Sequence, residues 1–459
     1  MKQTFDLIVV GGGRASNLAL AAAKSGMKTA LVERDKLGGA CPNRGCVPSK
    51  LLIGFAEAAR HVNEAERHFV KAELKSVDAA AIFNSVNAYV GEVDARYAGR
   101  LSEAGVELFR GEGRFAGPKT VVVNGMELTA ETVVIGTGSR PRPTPFSELP
   151  VWTSDNLFPL ESTPPKSLLI IGGGFIGTEM GAFFSAIGTD VKLFSRSGNL
   201  LNREDPEIEQ VFQAEFEKSV PTFCHANLRD LQHDGNQFTA SIDIHGETHQ
   251  FQAERVLFAI GRIPNTDSLD LENTGLSADS KGFLPVNDHL ETPVPGIYAV
   301  GDVNGRFMLQ HEASYEVNYL RKKLLSGETN PIDERLIAHA VFSHPEVASV
   351  GKTEDQLKSE GTAYVSVFEN WLASARAMAT RLDYPRIKLL VSPDDYSILG
   401  AHLVGPEAST MLHQIMITMR LKNDVRELTQ MIYIHPALNE AILAAAVKAV
   451  AAVRRYRPS

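Results

Sequence analysis

Two cysteines five positions apart offer the most reactive chemistry in the chain. Cys41 and Cys46 stand in the segment Gly38-Gly39-Ala40-Cys41-Pro42-Asn43-Arg44-Gly45-Cys46-Val47-Pro48-Ser49-Lys50. Thiols at this spacing can close a short disulfide loop that opens and re-forms by exchange. Gly38 and Gly39 give the loop a flexible entry, and the charge of Lys50 favours a thiolate. A bare pair at this spacing also fits two buried, inert cysteines. Context separates the two readings, because the segment directly follows a nucleotide-binding signature. Cys224, the third and last cysteine, belongs to no motif and reads as a packing residue. No histidine–cysteine spacing has the form of a metal site.

The elements that must position the dithiol begin with the apolar run Leu7 to Val10. Gly11-Gly12-Gly13, an alanine-rich helical stretch to Ser25 and a strand from Thr29 to Val32 follow, ending at Glu33. This is a βαβ unit with an acid about 20 residues after its glycines. Gly11 and Gly13 let backbone amides reach a pyrophosphate at a helix N-terminus, and Glu33 can hold a ribose hydroxyl pair. Ser16 stands where the fingerprint has its third glycine, after Arg14-Ala15, which predicts a slightly wider approach of helix to strand. The pattern recurs in Ser167 to Ile171, Gly172-Gly173-Gly174-Phe175-Ile176-Gly177, a helix through Ile187 and a strand from Val191 to Phe194. Two dinucleotide folds imply two dinucleotides. The second fold lacks the usual acid: its strand runs into Ser195-Arg196-Ser197, with Arg203 beyond. A cation there suits a 2′-phosphate, whereas an acid would bond the free 2′-hydroxyl.

A chain of 459 residues exceeds one ordinary core and predicts about three domains. The formal net charge of -9 argues against general binding of nucleic acid or anionic membranes. Three cysteines are too few for a disulfide-stapled scaffold, and the chain enters an apolar strand at once, leaving no room for a cleavable signal. The longest apolar stretch, Ala441 to Val453, is cut by Lys448; it predicts an amphipathic helix and no membrane span. The expected location is cytoplasmic. Residues 51–105, rich in alanine and charge, predict helices covering the first sheet. Prolines from Pro141 to Pro165 mark a boundary before the second βαβ unit. Beyond Pro331, strand candidates Val341 to Ser343 and Ile387 to Val391 precede long helices, predicting a mixed unit.

With two nucleotide folds and a dithiol in place, the chain resembles the pyridine nucleotide–disulfide oxidoreductases over nearly its full length. The resemblance is carried by the dithiol segment, Gly136-Thr137-Gly138-Ser139, Ala259-Ile260-Gly261-Arg262-Ile263-Pro264-Asn265-Thr266, Gly296-Ile297-Tyr298-Ala299-Val300-Gly301-Asp302 and His435-Pro436-Ala437-Leu438-Asn439-Glu440. It implies an α/β protein with two Rossmann-like domains, for FAD and NAD(P), and a C-terminal α+β dimerisation domain. The expected boundaries are 1–148 and 267–333 for the two parts of the FAD-binding unit, 149–266 for NAD(P) and 334–459 for dimerisation. By resemblance, Asp302 meets the ribityl chain of FAD, while Met308 and His311 lie near the isoalloxazine. Gly113, Thr137, Gly138, Ser139 and Gly261 lie along the cofactors, with Gly172, Gly174, Gly177 and Arg196 on the pyridine nucleotide. Lys50 and Glu179 are expected to form an ion pair near flavin N5. The resemblance makes Cys46 the sulfur that faces the flavin and Cys41 the one that meets substrate. It makes His435, supplied by the partner subunit and oriented by Glu440, the base for exchange, which implies a homodimer with shared sites.

Within the family, His344-Pro345-Glu346-Val347-Ala348-Ser349-Val350-Gly351-Lys352-Thr353 and Met308-Leu309-Gln310-His311 look most like dihydrolipoamide dehydrogenase, whose partner is a 2-oxo-acid dehydrogenase complex. Ser195 and Arg196 instead resemble NADPH-dependent reductases of small disulfides such as glutathione or mycothione, although NADP-type members often carry alanine where Gly177 stands. Both enzyme readings stay open, beside a third in which the chain is a non-catalytic flavoprotein scaffold subunit. The absence of any cysteine after Cys224 sets aside mercuric reductases, and the dithiol itself sets aside soluble transhydrogenases.

Overall fold

The computed structural model describes residues 2–161 and 163–456. Its first sheet is built on strand Lys2–Val10, whose residues Leu7 to Val10 are buried. Parallel strands Thr29–Glu33 and Met126–Ile135 flank it, with Glu107–Arg110 and Ile297–Ala299 beyond. Continuous apolar runs such as Leu7-Ile8-Val9-Val10 suit parallel strands covered on both faces. Antiparallel strands Arg114–Gly117 and Thr120–Val123 finish the sheet. Helices Ser16–Lys24, Cys46–Asn63 and Ala79–Glu103 supply cover, the last capped by the Asp78 carboxylate, which accepts from the Ala81 amide.

The second nucleotide fold is a four-stranded parallel sheet in the order Thr222–Phe223, Asp190–Phe194, Ser167–Ile171, Arg255–Phe258. Helix Phe175–Ala186 is buried continuously from Gly177 to Phe184, because it is pressed between this sheet and helix Cys46–Asn63. An antiparallel meander of Ala226–His233, Phe238–Ile244 and Glu247–Ala253 is inserted before the last strand.

The C-terminal unit is a five-stranded antiparallel sheet in the order Ala338–Val341, Val347–Gly351, Ile398–Val404, Arg386–Val391, Val365–Asn370. Helix Glu440–Arg455 lays Ala441, Ala445, Ala449 and Val453 against the core, while Lys448 faces outward to Glu369. This spacing of four is the helical repeat of an apolar stripe. The expected strand Val341 to Ser343 is corrected: the strand ends at Val341, and Phe342 to Glu346 form a loop. The Phe342 amide is spent on the Glu179 carboxylate, and Pro345 has no amide to give a ladder.

A buried charge joins this sheet to the second nucleotide fold. Lys388, fully buried in strand Arg386–Val391, donates to Asp205 at 2.8 Å and pairs with Glu207 at 2.7 Å and with Glu354. Asp205 is also the N-cap of helix Pro206–Phe216. Among the described residues, no helix is long and apolar enough to cross a membrane.

Candidate active site

The first βαβ turn is shaped for a dinucleotide by close backbone approach. Gly11 has φ 110°, and a Cβ on it would lie 2.3 Å from the Gly136 carbonyl oxygen. The Glu33 carboxylate accepts the Gly12 amide at 2.6 Å, so the strand-end acid closes the turn. Gly11, Glu33, Gly113 and Thr137 line one concavity beside this turn. Gly13 lies under Gly39, where a Cβ would come within 2.8 Å of the Gly13 Cα. A dinucleotide pyrophosphate fits at this helix N-terminus. Ser16 is buried and its hydroxyl donates to the Gly13 carbonyl at 2.7 Å. At the matching position of the second fold, a Cβ on Gly177 would lie 2.1 Å from the Gly172 carbonyl. The second helix therefore sits closer to its turn than a side chain allows.

Farther along the same concave face, Thr137 donates to the Asn265 carbonyl at 2.7 Å, and Gly138 accepts from the Asn265 amide at 2.9 Å. The Ser139 hydroxyl donates to Asp302 at 2.5 Å and accepts from Arg262 at 2.8 Å. Buried Glu316 accepts from the Gly301 amide and from Asn304, fixing the turn that carries Asp302. Met308 precedes helix Gln310–Ser326, in whose first turn His311 is hydrogen bonded to the Ala338 carbonyl at 2.7 Å.

The dithiol bridges two helices: Cys41 lies in the short helix Ala40–Arg44, and Cys46 opens helix Cys46–Asn63. Both are free thiols, Cys41 half-buried and Cys46 exposed. A hydrogen bond from Cys41 brings the Cys46 thiol down to about 7, helped by the charge of Lys50 and opposed by burial. The same contact with Cys46, followed by burial, pushes Cys41 well above the ordinary thiol range. One thiolate therefore forms readily in the pair, and it resides on Cys46.

One turn along that helix, Lys50 donates to both oxygens of buried Glu179, at 2.8 and 2.6 Å. Glu179 lies on helix Phe175–Ala186 and also accepts the Phe342 amide at 3.0 Å. Three sequence regions thus meet at one carboxylate.

His435 is exposed, and its Nδ1 is 2.8 Å from Glu440. The other Glu440 oxygen accepts the Ala437 amide at 2.9 Å, which fixes the carboxylate. These two hydrogen bonds, His435 first, hold the Glu440 carboxyl below its usual range. Met431, Ile432 and Ile434 beside it are exposed, an apolar strip in which only the Met431 sulfur is held, by the Gln414 amide, among the described residues.

In the second fold, Gly172 has φ 124° and meets Ala259 as Gly11 meets Gly136. A Cβ on Gly173 would press on Ser195, as one on Gly12 would press on Glu33. Ser195 is therefore the positional counterpart of Glu33, and it is buried with a hydroxyl too short to repeat that acid's work. Gly174 caps helix Phe175–Ala186 with nothing near its would-be Cβ, leaving room for a phosphate. Arg196 and Arg203 are exposed, and neither has an ion-pair partner among the described residues. Gly261 has φ 105° and accepts the Arg142 amide, closing the turn after strand Arg255–Phe258.

Sequence reasoning missed several contacts that hold these residues. Arg262 also donates to the Ser139 carbonyl at 2.7 Å, and His339 meets buried Glu204 at 2.6 Å just past the second fold's Arg203. Arg262 stands within the segment Ala259 to Thr266 that carries the family resemblance, so its position is a usable signal. His339 and Phe342 carry no local signal, because their partners are far away in sequence.

The pyridine nucleotide-disulphide oxidoreductase family matches residues 5–316, and the dimerisation domain of that family matches residues 337–446. Dihydrolipoyl dehydrogenase of Geobacillus stearothermophilus is 33% identical over 454 residues, covering 96% of this chain and 95% of that protein. The Bacillus subtilis (strain 168) dihydrolipoyl dehydrogenase is 32% identical over 470 residues, covering 98% of each. Among solved structures, the Cu(II) complex of the HOCl-induced flavoprotein disulfide reductase RclA from Escherichia coli superimposes with a TM-score of 0.86 at 25% identity, covering 97% of this chain and 99% of that one. The chain belongs to the pyridine nucleotide-disulphide oxidoreductase family. It is an FAD-dependent disulfide oxidoreductase of the lipoamide dehydrogenase-like kind, using a pyridine nucleotide.

Proposed function

We propose that the protein moves electrons between a pyridine nucleotide and a small dithiol or disulfide through Cys41 and Cys46, with dihydrolipoamide as the first substrate to test. The observation that carries this reading is the low-lying Cys46 thiol, set beside Lys50 and the Lys50–Glu179 pair. Gly11, Gly13, Glu33, Gly113, Thr137, Gly138, Ser139 and Asp302 would hold FAD, with Met308 and His311 beside its ring system. Gly172, Gly174, Gly177, Arg196 and Gly261 would serve the pyridine nucleotide. Bound FAD supplies the two-electron transfer between nicotinamide and dithiol.

The residues of the chain do the rest. Cys46 holds negative charge near neutrality, and Lys50 neutralises it. Cys41, protonated while Cys46 is a thiolate, needs a base before it can exchange with substrate sulfur. His435 of the partner subunit takes that role, with Glu440 fixing its ring and stabilising the cation. The matched dimerisation domain and the exposed Met431, Ile432 and Ile434 beside His435 support the shared site. A reducing cytoplasm suits a dithiol that must cycle. Assembly with a 2-oxo-acid dehydrogenase complex belongs to this reading.

Ser195 in place of an acid, beside Arg196, favours a second reading: an NADPH-dependent reductase of a low-molecular-weight disulfide. Anaerobic titration with NADH and with NADPH, followed by turnover on dihydrolipoamide and on a panel of small disulfides, decides between them. Turnover of dihydrolipoamide with NAD supports the first reading. Reduction of a small disulfide by NADPH alone replaces it with the second. Inertness toward both nucleotides refutes both and leaves a scaffold.

A further inference from the structure

A row of polar residues crosses the C-terminal sheet: His339 is the cross-strand partner of Ser349, Ser349 of His402, and His402 of Lys388. Directly opposed residues of antiparallel strands share a face, so all of them line one side of the sheet. Ser349, His402 and Lys388 are buried there, while Ala348, Leu403 and Ile387 pack into the apolar core on the other side. A buried polar row is costly unless it is paired. The consecutive acids Glu204 and Asp205, which follow the second fold's first two strands, supply partners. One Glu204 oxygen is 2.6 Å from the His339 ring, and the other accepts the Ser349 hydroxyl at 2.7 Å. Asp205 accepts from Lys388 at 2.8 Å and from the Glu354 amide at 2.9 Å.

The same two acids end a loop that is wrapped on the second glycine turn. The Leu201 amide donates to the Gly173 carbonyl at 2.9 Å, and a Cβ on Gly173 would lie 2.7 Å from the Leu200 side chain. The Asn202 amide donates to the Ser197 hydroxyl at 2.9 Å, and the Arg203 and Glu204 backbone amides both turn back to the Leu201 carbonyl, at 2.6 and 2.9 Å. Leu201 has φ 50°, a left-handed conformation that leucine seldom adopts. Only Asn202 and Arg203 lie between the residue fixed to the glycine turn and the residue fixed to the sheet. The hold on Gly173 has a direction. In a planar trans peptide the N–H points away from the C=O. With the Gly173 carbonyl turned to Leu201, the Gly174 amide faces the opposite way, at the open N-terminus of helix Phe175–Ala186.

We propose that Glu204 is a positioning residue for the pyridine nucleotide: anchored on His339 and Ser349, it holds the loop Asn199 to Arg203 against the glycine turn and keeps the Gly174 amide aimed at the coenzyme pyrophosphate. This rests on the assignment of that turn to the pyridine nucleotide. Glu204 itself touches neither coenzyme nor dithiol. The C-terminal sheet thereby supports coenzyme binding in the second fold, a task separate from its supply of His435 to the dithiol.

The test separates the two half-reactions in the holoenzyme, for the unmodified protein, Glu204→Ala and Glu204→Gln. Binding of NAD⁺ and of NADP⁺ to the oxidised protein is measured by isothermal titration calorimetry, and KM and kcat are measured for NADH and NADPH. The dithiol side is read from the rate at which dithiothreitol reduces the oxidised protein, with FAD content from absorbance and the thermal midpoint as controls. The expected result in Glu204→Ala is a coenzyme Kd and KM raised about tenfold, the scale of one well-placed hydrogen bond lost. FAD content, kcat and the dithiothreitol rate should stay nearly unchanged. Glu204→Gln, which keeps an acceptor for Ser349 and a donor for His339, should largely restore binding. A lowered thermal midpoint with unchanged coenzyme Kd overturns the inference and leaves Glu204 a packing contact. Equal damage to coenzyme binding and to the dithiothreitol rate also overturns it, since loosening would then be general. If the unmodified protein binds neither nucleotide, the assignment of the turn fails and takes the inference with it. Should Glu204→Ala not fold, His339→Leu removes one anchor from the half-buried side and is read in the same way.

Discussion

Replacing Ser195 with Glu, together with Arg196→Ala, should turn the second nucleotide fold toward NADH. The first fold supplies the template, since Glu33 stands at the position of Ser195 and its carboxylate accepts the Gly12 amide at 2.6 Å. The serine hydroxyl faces the Asn199 carbonyl at 3.5 Å and offers nothing that repels a 2′-phosphate. Arg196 is exposed at the strand end with no carboxylate to neutralise it among the described residues. One charge-assisted contact between such a guanidinium and a phosphate contributes about 1.5–3 kcal/mol, or roughly ten- to hundredfold in affinity. The unmodified protein should therefore use NADPH at least as well as NADH. The double variant should raise KM for NADPH by that factor while leaving kcat nearly unchanged, because the contact is remote from the transferred hydride. Initial rates with both coenzymes at fixed disulfide check this. A strong native preference for NADH, with a coenzyme ratio that Arg196→Ala does not move, would refute the argument and reduce Arg196 to a surface charge.

Three further outcomes are expected. His435→Gln should keep FAD and the dimer yet slow dithiol–disulfide exchange by about a hundredfold; Glu440→Gln should cost less, and stopped-flow rates read the difference. Lys388→Met should lower stability by about 3–5 kcal/mol, because it strands the buried Asp205 carboxylate; thermal unfolding monitored by circular dichroism checks it, and an unchanged midpoint would show that Asp205 finds another donor. Burial pushes Glu312 up to about 8, with Glu316 and Glu334 adding repulsion, and burial pushes Glu316 and Glu209 up to about 7. The folded chain then holds more protons than the unfolded one between roughly pH 4.5 and 8, so stability falls as pH rises through that window. Glu312→Gln should flatten the decline in denaturant titrations at pH 5.5 and 8, and a slope that survives in the variant would acquit this carboxyl.

The parts of this molecule that were legible in the sequence are those built from local pattern. Gly11 and Gly172 announce their turns because nothing else fits against Gly136 and Ala259, and the apolar runs beside them can only be buried parallel strands. The Cys41–Cys46 pair is legible because both residues lie in one short segment. The C-terminal sheet was legible only in part: Ile387 to Val391 lies in strand Arg386–Val391 as expected, but other strands carry little local pattern. Val347–Gly351 and Val365–Asn370 are short, and they become strands through pairings as distant as Val347 with Val404 and Val365 with Val391. The buried Lys388 is invisible to pattern altogether, since a lysine in a strand predicts a solvent face, and its three carboxylates come from two distant stretches. The inserted meander before Arg255–Phe258 left no glycine fingerprint to announce it. Likewise the Glu179 clamp needs Phe342, whose amide has no sequence signature.

The strand Ala338–Val341 and the residue after it touch three places at once: the His311 ring, buried Glu204 and the Glu179 carboxylate. That strand is held in turn by Val347–Gly351, and that one by Ile398–Val404. A ribosome-bound chain can therefore complete both nucleotide folds and expose Cys41 and Cys46 well before the clamp on Glu179 exists. During that interval Glu179 lacks its backbone donor, and the lysine that tunes Cys46 leans on a carboxylate that is free to move. The full environment of the Cys46 thiol, with Lys50 paired to a Glu179 held in place by the Phe342 amide, is thus complete only once the chain has reached the last sheet.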